Sequence, residues 1–451
     1  MKAGLIISSN QLDGLQDFVD PKTSGVSEWG TFRDSLRAPV HSWFTYPAGF
    51  SYKAVEHSIA LHNLTPGKST VYDPFMGSGT TNLVAKSLGF NSAGVEAHPF
   101  VFSITQSKMY WELAFDEVEA FVTEIPKVIG VFPSESAMSK SNEEVFPELI
   151  IKCFLPDALY AMRLIRDQIK TNTKYAPETR RFLSTALICT LRDISIAATG
   201  WPYIAPNKIK ITSMSKNAVV TYLKRVEKMA NDLKVIAAQA SPLKTNHNVI
   251  LGSSAKTNIP SESVDHIFTS PPYLNNFDYA DRTRLEMYFM GEADTWGDIS
   301  AKIRTKLMTS ATTQISRNDI KYILNPEIAK TSPEVFEFLS QSEESLEALR
   351  HTKGGKKSYD LLVTGYFNDI YQIVKDNFRV LKPGTEAYYI LGDSAPYGVH
   401  IPTDELIGKI GVGLGFKSYD VEILRARGGK WASNPQRHSV PLRETIVKLK
   451  K

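Results

Sequence analysis

The chain has 451 residues, 42% of them hydrophobic, which supplies core for a large globular protein of two or three domains and excludes a disordered or fibrous one. A formal net charge of +4 is compatible with a polyanionic partner but is too small to identify one. Two cysteines, Cys153 and Cys189, exclude a disulfide framework and a structural zinc site, and suit a reducing cytoplasm.

In chain order, Leu5-Ile6-Ile7 is a short apolar run without the long hydrophobic region of a signal peptide, and no later segment is long enough to span a membrane. Gln11 to Pro39 is polar and turn-rich, a surface arm. Ser51 is placed to cap a helix-like stretch from Tyr52 to Leu64. Val71-Tyr72-Asp73 then reads as a buried strand that breaks at Pro74-Phe75-Met76-Gly77-Ser78-Gly79 and opens a helix from Asn82 to Leu88. Gly77 and Gly79 let the backbone approach a ligand closely, and Thr80 and Thr81 are available as caps. Asp73 at the end of the strand suits a cationic group. A phosphate cradle is disfavoured, because no third glycine completes G-x-G-x-x-G and His62 stands where Gly67-Lys68-Ser69-Thr70 would need its upstream glycine.

Ser92 to Glu96 reads as the second strand, with Glu96 at the distance where an acid receives a ribose hydroxyl pair, and Pro99 to Glu112 as a crossover helix. The third strand does not arrive until His247 to Gly252. Between them the pattern is helical: Leu155, Ala158, Leu159, Met162, Ile165 and Ile169 share one face, as do Val219, Tyr222, Leu223, Val226, Met229, Ala230 and Leu233, while Phe182 to Ala198 is apolar nearly all round. Lys208-Ile209-Lys210 after Gly200-Trp201-Pro202-Tyr203 is either a basic surface beside aromatics or a solvated strand. Val264 to Phe268, the fourth strand, ends in Thr269-Ser270-Pro271-Pro272-Tyr273, where two prolines fix an extended backbone. Asp281 and Arg284, three apart, read as an intrahelical ion pair. Gly291 to Lys357 is dominated by polar helices and closes on the basic run Lys353 to Lys357. A helix through Phe367, Ile370, Tyr371 and Val374 ends in the turn Arg379 to Gly384, and Glu386 to Leu391 is the fifth strand. Gly392-Asp393-Ser394 is read as structural. Lys417 to Leu424 and Glu444 to Leu449 form a closing hairpin whose loop carries Arg425, Arg427, Lys430 and Arg437.

The pair formed by Asp73-Pro74-Phe75-x-Gly77-Ser78-Gly79-Thr80 and Ser270-Pro271-Pro272-Tyr273 resembles the amino-methyltransferases of DNA, and the strand order fits that family over most of the chain outside its middle. The resemblance implies an α/β fold, a Rossmann-like class I methyltransferase sheet, mostly parallel with an antiparallel last strand, carrying helical insertions. It implies S-adenosylmethionine as cofactor, held by Tyr46, Pro47, Phe50, Asp73, Pro74, Phe75, Gly77, Ser78, Gly79, Thr80, Glu96 and Ser253. Ser253 stands where many relatives carry an acid for the adenine amino group. The catalytic residues it implies are Ser270, Pro271, Pro272 and Tyr273: acceptors for an exocyclic amine, and a ring on which a flipped base stacks. Serine in the first position is associated with the cytosine N4 amine, aspartate with the adenine N6 amine. The absence of a Pro-Cys pair argues against attack on the cytosine ring.

Residues 1–112, 247–291 and 358–451 are accordingly assigned to the catalytic domain, 113–246 to a helical insertion that reads the target or serves as a lid or dimerisation element, and 292–357 to a second insertion that touches DNA. Arg425, Arg427, Lys430 and Arg437 would neutralise phosphates if the sixth strand runs parallel to the fifth; the alternative is a solvated hairpin. The partners implied are double-stranded DNA and a cognate restriction endonuclease or defence-system proteins, with no membrane and no metal. An RNA exocyclic-amine methyltransferase and a non-catalytic DNA-binding subunit are the competing functions.

Overall fold

In the computed structural model, residues 28–45, 49–130, 132–199, 203–353, 358–427 and 440–451 are described. Their strands are β1 (Thr70–Asp73), β2 (Asn91–Glu96), β3 (Ala197–Thr199), β4 (Ile204–Ile209), β5 (His247–Leu251), β6 (Val264–Thr269), β7 (Leu381–Gly392), β8 (Ser418–Arg427) and β9 (Leu442–Lys450). Seven of them form one sheet in the order β5-β2-β1-β6-β7-β9-β8. β5, β2, β1, β6 and β7 are parallel, with Val71 opposite Ser92 on one side and His266 on the other. β9 runs antiparallel to β7 and β8 antiparallel to β9, so β8 points the same way as β7. The end of β8 at Arg427 and the start of β9 at Leu442 therefore lie at the carboxyl edge of the parallel strands, the side on which ligands bind in such sheets.

The apolar runs of β1 and β6 are buried because helices cover both faces of the sheet. Tyr371, Val374 and Ile370 of the Tyr359–Val380 helix pack with Tyr72, Val95 and Ile267 in one core. On the opposite face, Val55 and Ile59 of the Tyr52–Ala60 helix and Val84 and Ala85 of the Thr80–Leu88 helix pack with Val71, Phe268 and Ile390. Ser51 caps the first of these as its type predicts, its hydroxyl accepting from Lys53 N at 3.2 Å.

Several boundaries differ from the sequence expectation. The helix begun at Tyr52 stops at Ala60, and the one begun at Pro99 stops at Met109. The cap of the Thr80–Leu88 helix is Gly79 in the left-handed region, not a threonine. Thr81 is drawn inward instead, its hydroxyl donating to the Phe268 carbonyl at 3.1 Å. The turn expected at the end of the Tyr359–Val380 helix falls inside the start of β7: the strand begins at Leu381, Gly384 holds φ of +80°, and the pairing with β6 slips between Leu381 and Glu386. The 113–246 stretch is not wholly helical, since β3 and β4 pair as a small antiparallel hairpin after the Pro177–Ile194 helix. The rest of that stretch follows its periodicity, with Leu159, Met162, Ile165, Tyr222, Val226 and Met229 at most 1% exposed.

Candidate active site

Two loops meet at the carboxyl ends of β1 and β6. In the first, Gly77 and Gly79 hold φ of +51° and +85°, where a side chain costs roughly 1 kcal/mol or more. A Cβ on Gly79 would also stand 2.8 Å from Thr105 Cγ2. The turn is held from outside: Met76 N donates to the Val95 carbonyl at 2.9 Å, and the Thr105 hydroxyl donates to the Gly77 carbonyl at 2.7 Å. Glu96, at the end of β2, accepts from Gly77 N at 2.9 Å through one oxygen and from His98 N at 2.7 Å through the other. Each oxygen keeps acceptor capacity. Burial, only partly offset by those backbone N–H groups, pushes the Glu96 carboxyl up to about 7.

Asp73 is fully buried behind this turn and does not line the cleft, so the expectation that it faces a cationic ligand is not met. One of its oxygens accepts from Phe75 N at 2.9 Å and from the Thr269 hydroxyl at 2.5 Å, and the Thr81 hydroxyl lies beside the carboxyl. Its carboxyl is pushed up to about 6 by burial. Through Thr269 it ties the glycine turn to the second loop.

In that second loop the Ser270 hydroxyl donates to the Ile390 carbonyl at 3.2 Å, which turns its lone pairs away from β7. Tyr273 is buried: its hydroxyl donates to Glu444 Oε1 at 3.0 Å, and the Arg427 guanidinium lies 5.0 Å from its ring centre. Arg425 donates to the other oxygen of Glu444 at 2.6 Å. The two arginines that topology brings to this edge are thus both engaged around the tyrosine. Gly392 makes the packing possible, since a Cβ there would stand 2.9 Å from the Tyr273 ring. Asp393 is structural, as expected: it accepts from Arg443 N at 2.6 Å and sits 2.8 Å from His400 Nε2.

A cleft of about 660 Å³ opens between the loops. Of the residues singled out from the sequence, Phe50, Pro74, Phe75, Gly77, Ser78, Thr80, Glu96, Ser253, Ser270 and Pro272 line it. Gly79, Pro271 and Tyr273 stand behind the lining. Tyr46, Pro47, Lys430 and Arg437 lie outside the described residues. Asp281 and Arg284 form the ion pair expected of them, at 3.1 Å.

Sequence reasoning missed three contributors. Thr305 to Met308, Ser310 and Lys321, all from 292–357, form part of the cleft wall, and so do Asp369 and Ile373. Glu444, which orients Tyr273, carried no motif. The one signal available for Asp369 was its helical register, and polar residues in such a register ordinarily mark a solvated face.

The chain is similar to DNA methylases. Residues 21–107 match the family described as DNA methylase. The Type II methyltransferase M.BsoBI of Geobacillus stearothermophilus is 25% identical over 92% of this chain and 86% of its own length. The Type II methyltransferases M.AvaI of Anabaena variabilis and M.MvaI of Kocuria varians are each 22% identical, covering 90% and 88% of this chain and 84% and 85% of their own lengths. With the mostly parallel sheet and its two loops, these likenesses support a DNA amino-methyltransferase.

Among the described residues there is no helix long and apolar enough to cross a membrane, and no group of three or more His, Cys, Asp or Glu that could hold a metal ion.

Proposed function

We propose that this protein transfers a methyl group from S-adenosylmethionine to the exocyclic N4 amine of a cytosine flipped out of duplex DNA. The observation that carries this reading is the junction of the two loops: Thr269, one residue before Ser270, is hydrogen-bonded to Asp73, which also holds the backbone of the glycine turn. A cofactor on one loop and an amine on the other would thereby be held in register.

The residues fit the cofactor. The turn at Gly77 and Gly79 gives close backbone approach, and Glu96 offers a carboxylate to a ribose diol. When bound, S-adenosylmethionine supplies a methyl carbon already electrophilic from the adjacent sulfonium charge. The protein's part is alignment, which accounts for much of the rate in such a transfer. Ser270, its own proton directed at Ile390, presents lone pairs to an amine N–H, and the Pro271 carbonyl is a second acceptor in a backbone that two prolines make rigid. With both hydrogens engaged, the amine lone pair is left for the methyl group, and the proton departs to solvent after transfer. Tyr273, anchored at Glu444 and buried behind the cleft lining, braces this loop, and its ring becomes a stacking surface for the base only when it is uncovered. Residues 113–246 are assigned to target recognition, 292–357 to a further DNA contact, and Arg425, Arg427, Lys430 and Arg437 to flanking phosphates. A cognate restriction endonuclease is the partner class that the Type II relatives suggest.

The choice of N4 over N6 rests on serine at the head of Ser270-Pro271-Pro272-Tyr273. The test is transfer of labelled methyl to duplex DNA of mixed sequence, with structured RNA in parallel, followed by nucleoside mass analysis. N4-methylcytosine in DNA, reduced about a hundredfold in Ser270→Ala with cofactor binding retained, is the expected result. N6-methyladenine would correct the acceptor, and label confined to RNA would overturn the substrate.

A further inference from the structure

The chain lacks an acid at the end of β5, where Ser253 stands. The helix packed beside that end supplies one. Asp369, Ile373, Asp376 and Arg379 fall at i, i+4, i+7 and i+10 on the Tyr359–Val380 helix, a single stripe. The lower half of the stripe is fastened to the chain descending from β5. Asp376 Oδ2 accepts from Thr257 N at 3.1 Å and from its hydroxyl at 2.7 Å, while Arg379 donates to the carbonyls of Thr257 and Ile259 at 3.1 and 2.7 Å. The upper half faces the cleft, where Ile373 and Asp369 line it together with Leu251 to Ala255. Asp369 lies about 10 Å up the helix from Asp376, and a turn at Ser254 and Ala255 joins Thr257 to the end of β5.

The order of the sheet places the parts of the cofactor. Going outward from β6, which carries the acceptor loop, come β1 with the glycine turn, β2 with Glu96 for the ribose, and β5. In that order an adenine ring would fall at the end of β5, between Leu251 to Ala255 and the upper stripe of the helix.

We propose that Asp369 accepts a hydrogen bond from the exocyclic amino group of the cofactor's adenine, the task for which the end of β5 has no acid. Thr309, whose N–H donates to Asp369 Oδ2 at 2.8 Å, holds the carboxylate in place from one side. A carboxylate has about four lone-pair sites, so capacity toward the cleft remains. Ser253, by contrast, is exposed and spends its hydroxyl oxygen on Ala255 N at 3.2 Å. Thr309 belongs to 292–357, so that insertion sets the geometry of the adenine subsite from a distance in sequence of 60 residues.

This inference rests on the methyltransferase reading, and calorimetric titration with two probes separates their fates. The probes are S-adenosylhomocysteine and its 6-deamino analogue, in which hydrogen replaces the amino group. The wild-type protein is expected to bind the analogue at least tenfold more weakly. In Asp369→Ala that ratio should fall to within about twofold, in Asp369→Asn, which keeps the shape and one acceptor oxygen, to an intermediate value, and in Ser253→Ala it should be unchanged. Because the ratio compares two ligands on one protein, a merely structural role for Asp369 would not move it. Equal affinity of the wild type for both probes, or a ratio preserved in both Asp369 variants, overturns the assignment while leaving the cofactor intact. Failure of the wild type to bind S-adenosylhomocysteine at all would overturn the methyltransferase reading itself.

Discussion

The two insertions use the sheet in opposite ways. Residues 113–246 build most of a core of their own, joined to the catalytic side by Trp43, Phe44, Phe100 and Ile104 and by the 280–303 segment. None of their described residues lines the cleft. Polar contacts fasten them as well: Arg192 pairs with Glu286 at 2.5 Å and donates to the Arg282 carbonyl at 2.7 Å, and Arg166 donates to the Phe289 carbonyl at 2.6 Å. Residues 292–357 have no comparable core. They spread along the Tyr359–Val380 helix through Leu324, Ile328, Val335 and Leu339, and their loops become cleft wall. A segment with its own core is free to vary its outer surface, whereas one that borrows a core is committed to the site beneath it.

The largest effect should come from unfastening the first insertion. Glu286 is fully buried, and although burial alone would raise its pKa, Arg192 and Arg282 hold it below the usual carboxylate range. Glu286→Ala leaves two guanidinium groups without their carboxylate and is expected to cost about 3–5 kcal/mol, read by urea denaturation. Cofactor affinity in the remaining folded protein should change little.

The second insertion should show the converse. A Cβ at Gly365 would meet the Tyr322 ring at 2.6 Å. Gly365→Ala should destabilise by roughly 1–2 kcal/mol after the helix preference of alanine is counted. It should also weaken S-adenosylhomocysteine binding severalfold, because the ring it displaces belongs to the wall segment. Unchanged binding in this variant would erase the contrast between the insertions.

A smaller effect is expected from pH. Burial raises Asp73 to about 6 and Glu96 to about 7, so the folded chain holds protons that the unfolded chain has released. Their contribution to stability is complete below the unfolded carboxylate range, about pH 4, and is lost as pH rises through about 7. Binding runs the other way: a ribose diol prefers the ionised Glu96, so cofactor affinity should tighten as pH rises through about 7. Glu96→Gln should flatten that dependence in calorimetric titrations across pH 5.5 to 8.5. The smallest effect concerns the exposed β4 of the first insertion. Lys208→Ala should leave the melting temperature unaltered and, where that hairpin meets DNA, lower the slope of log affinity against log salt by about one.

The sequence by itself determined the sheet and the two loops. Glycines that need φ above zero and two consecutive prolines are constraints written in adjacent residues, and buried strands announce themselves by composition. That β8 brings arginines to the ligand edge was conditional on its direction, which the antiparallel pairing of β9 with both β7 and β8 decided. Tertiary structure alone decided what each polar group meets. Asp73 turned inward to Thr269, Thr81 went to Phe268 instead of capping its helix, Glu444 took Tyr273, and Asp369 reached the cleft beside β5. Periodicity states which face of a helix is turned toward something. Only the packing of segments far apart in the chain states what that something is, because a hydrogen bond is fixed by distance in space and leaves no mark on spacing in sequence.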